Sequence, residues 1–313
     1  MTDSHAVLVG LCCAVEGGGI MRLATMDYTA SNAAAIFNRS MRETGFAIVV
    51  NHPIATGLIR GIYDEWLAFF ATDAKHRYVD TTGRLDGFFP YPGESAGGPI
   101  VRDRKEFFHV YSGGCYPMEV SDAALRYLHE ARTLAHTLLA WLDERGPAEV
   151  TRHFVMSLAR MVADSSPSVL RIQHYLPLRG DELADAPRAL PHTDINLLTL
   201  LPAPSGRGLQ IFQTDGGWQD VASDPQSLII NVGEMLQLAS GGYYRAALHR
   251  VMKPAGTEAR DSRMSMPLFV HPADDVTLAP DCTATEFRAA RVAEMHRRGW
   301  NVVAGGARPQ VQR

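Results

Sequence analysis

From about residue 168 the chain breaks into short apolar runs: "SVLRIQHYL", "NLLTLLPA", "GLQIFQ", "SLIINVG", "MLQLAS", "AALHRVM" and "RMSMPLFV". Turn signals such as "PSGRG", "TDGG" and "SGG" separate them. Many strand-length runs at close spacing, punctuated by glycine and proline, predict a β-sandwich or barrel.

The first half has a different texture. "TASNAAAIFNRSMRET" (29–44) predicts a helix and "GFAIVVNH" (45–52) a short buried strand opened by glycine. Leu58, Ile62, Trp66 and Phe69 recur at helical spacing over 56–71. Residues 121–145 form the clearest helix, with Leu125, Leu128, Ala135, Leu138, Leu139 and Leu142 facing one way and "RGP" as its stop. Residues 80–117, rich in Gly, Pro and aromatics, show no clean period and read as loops with short strands. A last helix is predicted over 284–298. The organisation expected is mainly β with flanking helices (α+β). Residues 1–20 form a poorly ordered extension, 21–150 an N-terminal helical and substrate-lid region, and 151–313 a β domain with a C-terminal helix.

Composition narrows the function classes. With 46% hydrophobic and 20% charged residues over 313 positions, the chain can bury a sizeable core. The 30 basic and 34 acidic residues are mixed along the sequence, for a net charge of −4, with no basic stripe. Nucleic acid is therefore not expected as a partner. "AVLVGLCCAV" is too short to span a bilayer and follows "MTDSH", which lacks the basic start of a secretory signal. Cys12, Cys13, Cys115 and Cys282 form no CxxC pair, so reduced thiols in a cytoplasmic, membrane-free protein are expected.

The chemistry concentrates in "PHTDINLLTL" (191–200). On a strand, residues i and i+2 share a face, so His192 and Asp194 project together and can chelate one ion. "AALHRVM" offers His249 as a third ligand. Two histidines and a carboxylate on one side of a metal leave three octahedral positions open, which suits Fe(II) oxygenases. Alone, an HxD is common by chance, and a single strand histidine is more often a satisfied core residue. What sharpens the set is "SRMSM", which puts Arg263 and Ser265 two apart, fourteen residues after His249. A buried Arg fork needs an anionic partner, such as the far carboxylate of an acid whose other end chelates the iron.

In that order, HTD at 192–194, His249 in "HRV" and the RxS of 263–265 resemble the non-haem Fe(II), 2-oxoglutarate-dependent dioxygenases, and among these the isopenicillin N synthase-like branch. "GFAIVVNHPI", "FFATDAKHRY", "LRIQHYLP" and "LIINVGEMLQLASGGYYRAALHRV" follow in family order, so the likeness runs from about 45 to 270. Gln173 and Glu234 depart from it, standing where many relatives carry Asn and Asp, and 80–117 matches no particular relative. The resemblance implies a double-stranded β-helix (jelly roll) with iron inside and N-terminal helices outside. It implies Fe(II), 2-oxoglutarate and O2 as cofactor and co-substrates, with His192, Asp194 and His249 on the metal. Arg263, Ser265 and Tyr175 would hold the C5 carboxylate of 2-oxoglutarate.

Substrate contacts are less defined. Phe89 and Tyr91 in "GFFPYPGE", and Arg102, Arg104, Phe107 and His109 in "VRDRKEFFHVY", are candidates, with core packing the plain alternative for each aromatic. Arg102 or Arg104 would suit the carboxylate of an amino acid or another small acid. Asn196 shares the face of Asp194 and is a candidate for contact with it or with substrate. Hydroxylation of a small molecule is the expected outcome, with desaturation or ring closure open. Two other readings remain at this stage: an oxidase or cyclase that needs no 2-oxoglutarate, and a non-catalytic jelly-roll binding protein. Oligomeric state is not readable from the sequence.

Overall fold

The computed structural model describes residues 23–81, 83–91, 105–162, 166–177, 187–213, 216–221, 224–253 and 261–297. The expected extension over 1–20, together with Arg102 and Arg104, lies outside them.

A nine-stranded mixed sheet forms the backbone of the fold. Its strands are β1 (Thr25–Asp27), β2 (Phe46–Val50), β3 (Gly87–Phe89), β4 (Lys105–Val110), β5 (Val169–Tyr175), β7 (Leu198–Pro202), β10 (Leu228–Val232), β12 (Arg263–Ser265) and β13 (Leu268–Val270). The order is β1-β2-β10-β7-β13-β5-β4-β3, with β12 also on β5. A second, four-stranded sheet runs β6-β11-β8-β9, from β6 (Ala189–His192), β8 (Leu209–Phe212), β9 (Trp218–Asp220) and β11 (His249–Val251). The two sheets make the jelly roll. Strands from both sides of residue 150 pair within the large sheet, as where β2 meets β10 and β4 meets β5. A small hairpin, β14 (Thr277–Ala279) with β15 (Cys282–Thr283), follows.

Helices cover the outer face of the large sheet. They are α1 (Ala33–Glu43), α2 (Thr56–Phe70), α3 (Ala123–Arg145) and the short α4 (Ala148–Thr151) and α5 (Leu158–Met161). Along α3, Tyr127, Leu128, Ala131, Leu134, Ala135, Leu138 and Leu142 are buried at three-to-four spacing. On α2, Trp66 is fully buried against Phe69, Phe70, Phe108 and Tyr116. Central strands such as "LIINV" and "LTLLP" are buried at every position because helices cover one face and the small sheet the other. A second, smaller apolar cluster between the sheets contains Phe46, Ala189, Leu201, Leu209, Ile211, Ile229, Ala247 and Val251. That inner cluster walls the site described below.

Three local expectations change. "MLQLAS" is not a strand but the one-and-a-half-turn helix α6 (Glu234–Ala239), with Met235, Leu236 and Ala239 buried. A six-residue apolar run fits either period, and here the chain leaves the sheet at Gly233. The first helix starts at Ala33, not Thr29, because Asp27 Oδ1 accepts from both the backbone N–H and the hydroxyl of Thr29, fixing a turn before it. "RMSMPLFV" is two strands, since Pro267 has no N–H for the ladder. The C-terminal helix α7 spans Ala284–Arg297. Among the described residues, no helix is long and apolar enough to cross a membrane.

Candidate metal centre

β11 lies antiparallel to β6 with His249 directly opposite His192. Their rings sit 4.3 Å apart, centroid to centroid. Asp194 lies past the end of β6, in the turn that leads to β7, so it reaches the pair by the bend of the chain and not by strand alternation. His192 Nε2 and His249 Nε2 each lie 3.9 Å from Asp194 Oδ1. One ligand atom from each of the three falls within 4.8 Å of the others.

Second contacts orient all three. His192 Nδ1 donates to the Leu190 carbonyl at 2.7 Å, and His249 Nδ1 to the Ala247 carbonyl at 3.0 Å. Each carbonyl can only accept, so the proton sits on Nδ1 and the Nε2 lone pair is left for a metal. Asp194 Oδ2 accepts from the Thr199 hydroxyl and, at 2.8 Å, from the Asn231 amide. Oδ1 is then the oxygen that faces the imidazoles. Burial, followed by the charge of His249, pushes His192 down to about 4. Burial works against ionisation of Asp194. The histidine charges and the two hydrogen bonds outweigh it and hold the carboxyl below its ordinary range. A divalent cation requires unprotonated imidazole nitrogens beside an ionised carboxylate, and the lowered His192 and Asp194 meet that need for two of the three ligands. Two nitrogens and one oxygen, without thiolate, fit ferrous iron.

The same cavity contains Tyr175, Arg263 and Ser265. Arg263 and Ser265 sit on β12, opposite Tyr175 and Gln173 of β5. Arg263 is 2% exposed, and its Nε donates to the Gly206 carbonyl at 3.0 Å. Its guanidinium carbon lies 5.1 Å from the centre of the Tyr175 ring. Its Nη1 is buried without a hydrogen-bond partner. An orphaned guanidinium nitrogen is costly unless a ligand anion completes it, so the subsite fits the far carboxylate of a diacid. Leu201, Leu209, Val251 and Phe46 supply apolar walls, with Phe46 edge-on to His249.

The remaining candidates are dispersed. Phe89, Phe107 and His109 are buried and pack on one another at the β3–β4 end of the sheet. Tyr91 is 37% exposed. Asn196 is buried and does not line the cavity; its amide donates to Thr199 Oγ1, which in turn binds Asp194. It therefore supports the carboxylate and is not placed for substrate contact. Lys105 and Arg171 do line the cavity, although neither is evident as a site residue in the sequence. The signal was there: Arg171 alternates with Gln173 and Tyr175 in "LRIQHYLP".

Comparison with known proteins follows this geometry. Residues 166–272 match the model of the 2OG-Fe(II) oxygenase superfamily, and 21–123 that of the non-haem dioxygenase in morphine synthesis N-terminal family. Gibberellin 2-beta-dioxygenase 3 of Arabidopsis thaliana is 28% identical over 84% of this chain and 82% of its own. A Shewanella oneidensis crystal structure, provisionally assigned as an oxygenase, is 43% identical, with a TM-score of 0.80 over 88% of this chain and 99% of that one. A full-length Neurospora crassa protein, solved in complex with alpha-KG and thymine, shares the fold at a TM-score of 0.72 and 18% identity, over 87% of this chain and 97% of its own.

Proposed function

Because the chain belongs to the 2OG-Fe(II) oxygenase superfamily, we propose that it hydroxylates an unactivated C–H bond of a small molecule, an amino acid or natural-product intermediate. The ferrous ion would be held by His192, Asp194 and His249. The observation that carries this reading is the convergence of two Nε2 atoms and one carboxylate oxygen in a single cavity with the unpartnered Nη1 of Arg263. The enzyme is an Fe(II)- and 2-oxoglutarate-dependent dioxygenase. When bound, iron, 2-oxoglutarate and O2 supply the oxidation, in which the keto acid is converted to succinate and CO2 as a substrate C–H bond is oxidised.

The chain's own share is placement. The Leu190 and Ala247 carbonyls fix the imidazoles, and Thr199 with Asn231 fixes the carboxylate. Arg263, Ser265 and Tyr175 would grip the C5 carboxylate of 2-oxoglutarate, and the apolar walls would keep water from the reacting atoms. The cavity is partly open to solvent, which gives a small molecule a route to the metal ligands. That the Neurospora crassa protein of the same fold binds thymine supports this substrate class.

The test is a screen of amino acids and small acids against anaerobically iron-loaded protein, scored by succinate release and by oxygen uptake with and without 2-oxoglutarate. Uptake is expected only with 2-oxoglutarate, and His192→Ala, Asp194→Ala or His249→Ala should reduce succinate to background. Full turnover in Asp194→Ala would overturn the ligand assignment.

A further inference from the structure

The two edges of β12 are held by different means. One edge pairs with β5, with Arg263 opposite Tyr175 and Ser265 opposite Gln173. Along an antiparallel strand, alternate residues turn their N–H and carbonyl toward opposite edges. Met264, between the two, turns both groups away from β5, and the partner that receives them is not a strand. It is Ser205, in the turn that joins β7 to β8. The Met264 N–H donates to the Ser205 hydroxyl at 2.8 Å, and the Ser205 N–H donates to the Met264 carbonyl at 3.1 Å. The next residue extends the contact to the arginine itself: the Gly206 carbonyl accepts from Arg263 Nε at 3.0 Å. A Cβ at Gly206 would stand 3.5 Å from Arg263 Cγ, so the turn also lies against the arginine stem.

Ser205, Gly206 and Arg207 are exposed, whereas Arg263 and Met264 are each 2% exposed. Met264 is buried in the main core, while Arg263 and Ser265 line the cavity. The surface turn is thus one strand away from the side chain that faces the co-substrate. With Nε engaged, rotation of the guanidinium about its last bond is checked, and Nη1 is left buried without a partner. A side chain already fixed in its bound orientation loses less freedom when its ligand arrives. Ser205 does not line the cavity, so its effect must pass through Arg263.

We propose that Ser205 and the Gly206 carbonyl form a clamp that pre-orients Arg263, so that this exposed turn sets how tightly the far carboxylate of 2-oxoglutarate is held and leaves metal binding unchanged. Ser205 is a positioning residue in this scheme. The proposal rests on the reading of Arg263 as the site of that carboxylate.

The experiment compares wild type, Ser205→Ala and Ser205→Thr as anaerobic Mn(II) proteins. Each is titrated calorimetrically with 2-oxoglutarate and with 2-oxopentanoate, which has the same 2-oxo acid end and no far carboxylate. Mn(II) affinity is followed by electron paramagnetic resonance. Ser205→Ala is expected to bind 2-oxoglutarate roughly three- to tenfold more weakly, as for loss of one hydrogen bond. Its affinities for Mn(II) and for 2-oxopentanoate should stay at the wild-type level, which also shows that the variant is folded. Ser205→Thr keeps the hydroxyl and should recover the affinity for 2-oxoglutarate. Unchanged 2-oxoglutarate binding by Ser205→Ala would overturn the proposal. So would a loss shared equally by 2-oxopentanoate or by Mn(II), which would mark a general structural effect. A wild type that binds 2-oxoglutarate no more tightly than 2-oxopentanoate would instead overturn the reading of Arg263 on which the proposal rests.

Discussion

Asp194 shows how one side chain can serve two needs. Its Oδ2 is engaged by Thr199 and Asn231, and this frees Oδ1 to face both imidazoles. Arg263 is the mirror case, a cation whose Nε is satisfied by the Gly206 carbonyl while Nη1 waits for an acceptor. Removing it should therefore act on 2-oxoglutarate more than on the metal. Arg263→Ala is expected to weaken 2-oxoglutarate binding to the Mn(II) protein by roughly 10- to 100-fold, since a charge-assisted bond contributes about 1.5–3 kcal/mol. Calorimetry that finds an affinity within twofold of wild type would remove Arg263 from that role. His192, Asp194, His249, Arg263 and Ser265 could be picked out from sequence because few residue types can ligate iron or grip a carboxylate. Thr199 and Asn231 could not, because hydroxyls and amides occur in apolar strands for many reasons. The Leu190 and Ala247 carbonyls leave no side-chain signal at all.

The elements, not the residues, decide whether the ligands meet. β6 and β11 bring the histidines opposite one another, but Asp194 depends on the turn after β6 and on what braces it. That brace is the start of α6. The N–H of Gly233 donates to the Leu197 carbonyl, that of Glu234 to the Asp194 carbonyl and that of Met235 to the Asn196 carbonyl. Glu234 also accepts from the Thr193 hydroxyl and pairs with Arg291 of α7, so the C-terminal helix is tied to the residue between two ligands. Gly233 is needed for the close approach: a Cβ there would collide with the Asn196 carbonyl oxygen. Gly233→Ala should cost about 1–3 kcal/mol of stability, as overpacking does. It should also weaken metal binding through Asn196, Thr199 and Asp194. Urea unfolding and a Co(II) titration would check both, and an unchanged midpoint with unchanged Co(II) affinity would refute the bracing argument. The long helices were readable because their apolar period extends over several turns. α6 was not, because a six-residue run with four apolar positions cannot distinguish the helical period from the strand period.

At the scale of the molecule, the large sheet is buried on both faces, so polar groups that sit beyond its strand ends are drawn into apolar surroundings. His271 follows β13 and is such a group. Burial first, then the nearby charge of Arg288 on α7, depresses it to about 4. In the unfolded chain it would titrate near 6.5. Between those values the unfolded state binds more protons than the folded one, so stability must fall as pH drops through that window. In metal-free protein His192, also near 4, acts with the same sign. Glu106 acts lower on the scale. Burial opposes its ionisation, but the hydrogen bonds from His174 and Lys75 and the charge of Lys75 prevail and set it below 4.5, so its contribution is lost only at more acid pH. A comparison at pH 7 and pH 5 therefore isolates the histidines. The urea midpoint of chelator-treated protein should be lower at pH 5, and His271→Phe should recover part of the difference while His192 and His52, which burial also lowers, retain the rest. A midpoint equal at the two pH values, or a His271→Phe variant with the full wild-type slope, would mean that His271 is not held neutral by the fold.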